Sequence, residues 1–193
     1  MPRITYYQHS VRSRKPGRVD TVPWASLAEY LESLSTDVRS KGASGYWVAA
    51  ACEGPHADAG CAPTDVVALD WDDPGPPCWE DDALRNRWFV AHTTDSHTPE
   101  VPRWRVWLQL DREYSAAELR RIRLPAAWAG AKLRAISQPA FVPTMGDDTW
   151  WVVEDSPLNS AWTPDLAPAT AEAPPAPPGP RAGRQTPSQT SIN

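Results

Sequence analysis

The stretch that most restricts how this chain can fold is DVVALDWD, residues 65–72. Val66, Val67, Ala68 and Leu69 form an unbroken apolar run, and Pro74, Pro76 and Pro77 close it. A short continuous apolar run bounded by prolines is the pattern of a strand covered on both faces. The chain must therefore supply a layer on each side of this strand. The strand ends in two carboxylates, Asp70 and Asp72, spaced i and i+2. A strand alternates its side chains with period two, so both emerge on one face where the backbone opens toward solvent.

The flanking sequence offers the partners. ITYYQ (4–8) and YWVAAA (46–51) read as strands, with a polar loop from Arg12 to Val22 between them and the helix that follows. Ser26 and Glu29 have capping-box spacing ahead of a stripe of Leu27, Tyr30, Leu31 and Leu34. A short helix is expected over Trp79–Asn86 and a strand over 87–94. RWRVWLQL (103–110) alternates: Trp104, Val106, Leu108 and Leu110 face one way, and Arg103, Arg105, Trp107 and Gln109 the other. Ser115 and Glu118 make a second capping box before AAELRRIRL, and 139–144 and 149–154 read as closing strands. The sum is an α+β fold with a mixed or antiparallel sheet and a few packed helices. The expected domain spans 1–163. Residues 164–193 are Pro/Ala-rich with almost no large apolar side chain, and they read as a disordered tail.

Charge is uneven within a net −5, which argues against strong non-specific nucleic-acid binding by the whole molecule. Arg12, Arg14, Lys15 and Arg18 cluster early, and Arg120, Arg121, Arg123, Lys132 and Arg134 cluster late, around an acidic centre between Asp70 and Asp82. That distribution suits a metal site that also handles phosphates. No apolar run is long enough for a membrane span, and MPRITYYQHS lacks the apolar core of a signal peptide. The three Cys fit a reducing, cytoplasmic setting better than a disulfide scaffold. Cys52, His56, Cys61 and Cys78 are ligand types that could bind Zn²⁺, at irregular spacing, against a core or surface thiol at each position.

Two carboxylates held side by side repel unless a cation lies between them. Oxygen ligands of this kind suit Mg²⁺ or Mn²⁺ completed by substrate phosphates. On that view, replacing both acids should leave stability equal or higher. Downstream, Ser96 and His97 fall in a loop, and Arg103 and Arg105 share a face of the next strand. Hydroxyl, imidazole and guanidinium donors beside a metal would make a triphosphate cradle.

VVALDWDD, then TTDSHTPEVPRWRVWLQL, then ISQPAFVPT resemble, in that order, motifs of the archaeo-eukaryotic primase superfamily as found in plasmid and phage replication proteins. The similarity spans roughly residues 24–162. It implies a sheet related to RNA-recognition motifs and a metal-dependent nucleotidyltransferase, a DNA primase or polymerase of a mobile element. Asp70 and Asp72 would hold the metal, with Asp70, Asp72 and His97 catalytic. Ser96, His97, Arg103 and Arg105 would bind the nucleotide, and Gln109 would line the same cleft. Single-stranded DNA template and nucleoside triphosphates are the implied partners, with a replicative helicase as a further one. The chain departs from the family at WAGAKLRAISQP, where a third carboxylate is expected and Gly130, Ala131 and Lys132 stand instead. Asp111, Asp147 and Asp148 are the substitutes in the chain, none at the matching place. The alternative is a catalytically inactive primase-like module that binds nucleic acid or a partner. LDWDD with Gly146-Asp147-Asp148 also resembles haloacid-dehalogenase-type phosphatases, but those need a doubly wound sheet with more helices than this chain offers.

Overall fold

The computed structural model describes residues 1–8, 15–34, 45–54, 57–72, 84–94, 96–141, 151–154 and 160–169. In chain order the strands are β1 (Arg3–Tyr7), β2 (Arg18–Thr21), β3 (Tyr46–Val48), β4 (Thr64–Trp71), β5 (Phe89–Thr93), β6 (Trp104–Tyr114), β7 (Ile122–Arg123), β8 (Ala131–Leu133), β9 (Ala140–Phe141), β10 (Trp151–Glu154) and β11 (Asp165–Leu166). Helix α1 (Leu27–Ser33) lies between β2 and β3, and α2 (Ala116–Leu119) between β6 and β7. The sheets run β2-β1-β3-β9, β10-β5-β6-β4-β8 and β11-β7. All their ladders are antiparallel. Among the described residues, parallel contact is confined to the isolated bridges Arg87–Ser160 and Leu110–Trp162. The molecule is thus α+β, mostly antiparallel with few helices, and the described residues form no doubly wound parallel sheet.

The apolar run becomes β4, flanked by β6 and β8 inside the five-stranded sheet. Val67, Leu69 and Trp71 pack on one side with Val106, Leu108, Phe89, Tyr46 and Val48. Val66 and Ala68 pack on the other with Val90, Trp107, Trp47, Leu27 and Leu31. The two faces of β4 therefore enter two separate clusters, as its continuous hydrophobicity required. Strand β6 obeys the expected alternation. Trp107, which shares a face with Arg105, is fully buried because Leu27 and Leu31 of α1 and Trp47 of β3 cover that face.

Local rules explain where the sequence reading departs from the fold. Ser26 carries no side-chain cap: residues Trp24–Ser26 form a 3-10 turn that runs into α1, so Ser26 (φ −109°, ψ 5°) lacks the extended backbone a cap needs. Ser115 has it (φ −72°, ψ 163°), and its reciprocal bonds with Glu118 complete the second capping box. Helix α2 nevertheless stops at Leu119, because the following segment pairs with β11. Ala167 N donates to Arg121 O at 2.8 Å, and Arg121 Nε donates to Ala167 O at 2.7 Å. Ordered structure therefore passes the expected boundary at 163. Residues 170–193, the rest of the expected tail, lie outside the described residues, as do 79–83 of the expected short helix and all of 142–150. The loop read from Arg12 to Val22 contains β2, paired with β1.

The cysteines also depart from expectation. Cys52 and Cys61 close a loop as an isolated antiparallel bridge and are joined by a disulfide. They are neither free thiols nor zinc ligands; His56 and Cys78 lie outside the described residues. No helix among the described residues is long and apolar enough to cross a membrane.

His92, on β5, is fully buried. Its Nε2 accepts from Trp107 Nε1 at 3.1 Å, and its Nδ1 lies 2.8 Å from Thr93 O, so the neutral ring with the proton on Nδ1 satisfies both. Burial, reinforced by the charge of Arg105, pushes its pKa down to about 3. An unfolded chain titrates the same group near about 6.5. Between these values the unfolded state binds the extra proton, so stability is full above the upper value and falls as pH drops through the window. Urea unfolding should show a loss of about 2 kcal/mol from this residue between pH 7 and pH 5, absent in His92→Gln. Identical pH dependence in the two proteins would refute the assignment.

Candidate functional site

Strand β4 delivers Asp70 between two neighbours. Its register partner on β6 is Arg105, and on β8 it is Lys132. Opposite charges directly across an antiparallel pair attract, which reinforces this register. Arg134 follows β8 and donates its backbone N–H to Ala68 O at 3.0 Å. The ladder geometry thus continues one residue past the strand. By alternation Lys132 and Arg134 share the face of Asp70.

The side chains close around the carboxylate. Arg105 Nε donates to Asp70 Oδ1 at 2.8 Å, and Arg134 Nη1 donates to Asp70 Oδ2. Arg134 also donates to the carbonyl of Pro139. These three side chains are 15%, 7% and 11% exposed for Asp70, Arg105 and Arg134 respectively, so the triad is largely dry. Asp72 sits at the rim. Arg103 Nη1 lies 3.5 Å from its Oδ1, and Lys132 Nζ lies 3.2 Å from its Oδ2.

Burial alone would raise the Asp70 carboxyl. The charges and hydrogen bonds of Arg105 and Arg134 overcome that effect and hold it below its ordinary value. Burial and the neighbouring Arg105 lower Arg134, partly offset by Asp70. Four cations face two carboxylates here, so the site carries excess positive charge. It opens into a cleft of about 240 Å³ lined by Asp70, Asp72, Thr94, Ser96, Arg103, Arg105, Arg134 and Phe141. Planar guanidinium donors converging on one opening make a receptor for an anion with several oxygens.

The structure brings Asp70, Asp72, Ser96, Arg103 and Arg105 to this one cleft, as their order in the sequence suggested. His97 is not among the lining residues. Its Nδ1 accepts from the backbone N–H of Arg103 at 3.1 Å, and its ring meets the edge of Trp104, which packs with the cluster on the opposite face of β6 from Arg105. The imidazole therefore shapes the β5–β6 connection. Gln109 lies further along β6 and away from the cleft wall. Asp111 accepts from Tyr114 and Thr163 and does not reach the cleft either. Asp95, Asp147 and Asp148 lie outside the described residues.

The sequence reading counted Lys132 and Arg134 in the late basic cluster and Thr94 in the segment of Ser96 and His97, but it assigned none of these, nor Phe141, to the site. Lys132 and Arg134 had a legible signal, the i, i+2 spacing of AKLRA, but a strand of three residues is too short for its period to stand out. Among the described residues no three His, Cys, Asp or Glu gather that could hold a metal ion. Asp70 and Asp72 offer oxygen donors of the right chemistry for a hard divalent cation. In this arrangement both oxygens of Asp70 are engaged by guanidinium groups, so the pair fits a metal only when those groups turn to another anion.

No family model matches the chain, and no curated protein or solved structure matches it.

The clamp reverses the stability expected from a repulsive carboxylate pair. Removing Asp70 leaves two buried guanidinium groups without their counter-charge, and breaking a buried pair from one side is costly. Asp70→Asn should lower the unfolding free energy by about 3 kcal/mol, whereas Asp72→Asn at the rim should change it by at most about 0.5 kcal/mol. Equal effects in urea titrations of the two variants would contradict the clamp.

Proposed function

We propose that this chain is a primase–polymerase-like domain whose cleft binds the phosphates of a nucleoside triphosphate, with a single-stranded nucleic acid as its template partner. The observation that carries the reading is the convergence of Asp70, Asp72, Arg103, Arg105, Arg134 and Ser96 on one cleft at the end of a central strand. The sheet order supports it as well. Read alone, β8-β4-β6-β5 places the strand bearing Asp-x-Asp beside the third strand of the unit, with the second and fourth at the edges. RNA-recognition-motif sheets use that order, and each crossover in such a sheet joins strands that are not neighbours in it. Here too β4 and β5, and β6 and β8, are joined in sequence without being neighbours in the sheet, which supports the likeness.

The arginines and the carboxylates have linked roles. Without ligand, Arg105 and Arg134 are held by Asp70. A triphosphate supplies anionic oxygens for the guanidinium groups and so releases Asp70. Asp70 and Asp72 would then hold Mg²⁺ or Mn²⁺, which when bound neutralises charge on the phosphoryl oxygens and polarises them for transfer. The chain's own contribution is to orient the phosphates through planar donors and to place Ser96 at the mouth of the cleft.

A second reading, a binding module without synthesis, is favoured by one observation. Strand β8, which starts one residue after Gly130, puts Lys132 and Arg134 on the Asp70 face, where the resemblance calls for an acid. Two metals stabilise the attacking and leaving oxygens best, and a second metal needs that further carboxylate.

Calorimetry separates these outcomes from failure of both. Wild type should bind a nucleoside triphosphate in the presence of Mn²⁺, and Asp70→Ala with Asp72→Ala should lose the Mn²⁺-dependent part of that affinity by at least about tenfold. Unchanged affinity in the double variant would remove the metal role. Primer synthesis on single-stranded DNA by the wild type supports the enzyme. Tight binding with no synthesis, in the wild type and in Gly130→Asp alike, supports the binding module.

A further inference from the structure

Among the described residues that line the cleft, Phe141 is the one aromatic side chain. It does not stand alone. Its ring meets Tyr46 edge-on at 6.4 Å between centroids, and Tyr46 stacks on Tyr7 at 4.7 Å with planes 9° apart. Tyr46 is fully buried and Tyr7 nearly so, while Phe141 is half-buried. The backbone secures the same row, since Tyr46 pairs with Tyr7 across β1–β3 and with Phe141 across β3–β9. Three aromatic rings thus run from the interior to the cleft, and only the last is partly open.

We propose that Phe141 is the base-recognition residue of the cleft: it stacks on the nucleobase of a nucleotide whose phosphates lie on Arg103, Arg105 and Arg134. This rests on the phosphate-binding reading and extends it from any polyphosphate to nucleotides as a class. The guanidinium groups alone recognise only charge and oxygen geometry. They cannot distinguish a nucleoside triphosphate from a bare one. An apolar ring held beside them can, because every base presents a π-face, and stacking tolerates differences among bases. The fixed row of Tyr7 and Tyr46 behind Phe141 reduces the rotamer freedom lost on binding. Such a contact discriminates base from no base and is weakly selective among the four bases.

The probes are adenosine triphosphate and inorganic triphosphate, both with Mg²⁺, titrated into the intact chain by calorimetry. The wild type should bind the nucleotide about tenfold or more tighter than inorganic triphosphate. Phe141→Leu keeps the apolar packing against Tyr46 and should bring the nucleotide down to the level of inorganic triphosphate, whose own affinity stays within about twofold of wild type. Phe141→Trp should restore the preference. A 2-aminopurine nucleoside triphosphate should lose fluorescence on binding wild type and not on binding Phe141→Leu, a signal that a purely structural role would not produce. Equal affinity of wild type for the two probes overturns the inference while leaving the phosphate site standing. Parallel loss of both ligands in Phe141→Leu overturns it too, by assigning Phe141 to structure. Binding of neither probe by wild type removes the phosphate site and this inference together.

Discussion

The structure depends on the charge clamp at the end of β4. Asp70 lies on a strand buried on both faces, where an isolated carboxylate would be prohibitively costly. Arg105 and Arg134 make it tolerable, and each of those cations is itself largely buried and needs Asp70 in return. The interaction ties β4 to β6 on one side and to the end of β8 on the other. It holds the wall of the cleft and also charges it, since Lys132 and Arg103 add further positive charge at the rim. Buried ion pairs of this kind contribute little net stability compared with apolar packing, but they are expensive to break from one side. A cleft built this way keeps its guanidinium donors along its wall, and the proposed phosphate binding rests on that.

Much of this was legible in the chain. The unbroken run Val66–Leu69 implied a strand with two covered faces, and its side chains do divide between two core clusters. The alternation of RWRVWLQL put Arg105 and Trp107 on one face and Val106 and Leu108 on the other, and Asp70, Asp72, Ser96, Arg103 and Arg105 do line one cleft. Ser115 and Glu118 formed the expected box because the serine backbone is extended there.

What was not legible has physical reasons. A carboxylate pair looks the same in sequence whether a metal or a guanidinium neutralises it, and the partner that decides, Arg134, is 64 residues away from Asp70. His97 looked like a phosphate ligand from its neighbours, yet its Nδ1 is taken by the backbone of Arg103 and its ring by Trp104. Propensity extended α2 through Leu124, but pairing of Ile122 and Arg123 with β11 wins. The Cys52–Cys61 bond was hidden by an odd cysteine count, because pairing depends on which loop ends the fold brings together. Phe141 lies in ISQPAFVPT, which read as a closing strand, but nothing in that segment marked it as part of the cleft; its place there follows from the β3–β9 register.

The central claim is that the Asp70 clamp opens onto phosphate. A crystal structure grown with a nucleoside triphosphate and Mn²⁺ tests it most directly. The account predicts phosphate oxygens on the guanidinium groups of Arg105 and Arg134, and an anomalous manganese signal between those oxygens and Asp70 and Asp72. Nucleotide bound elsewhere on the chain, with Asp70 still held by both arginines, would contradict it.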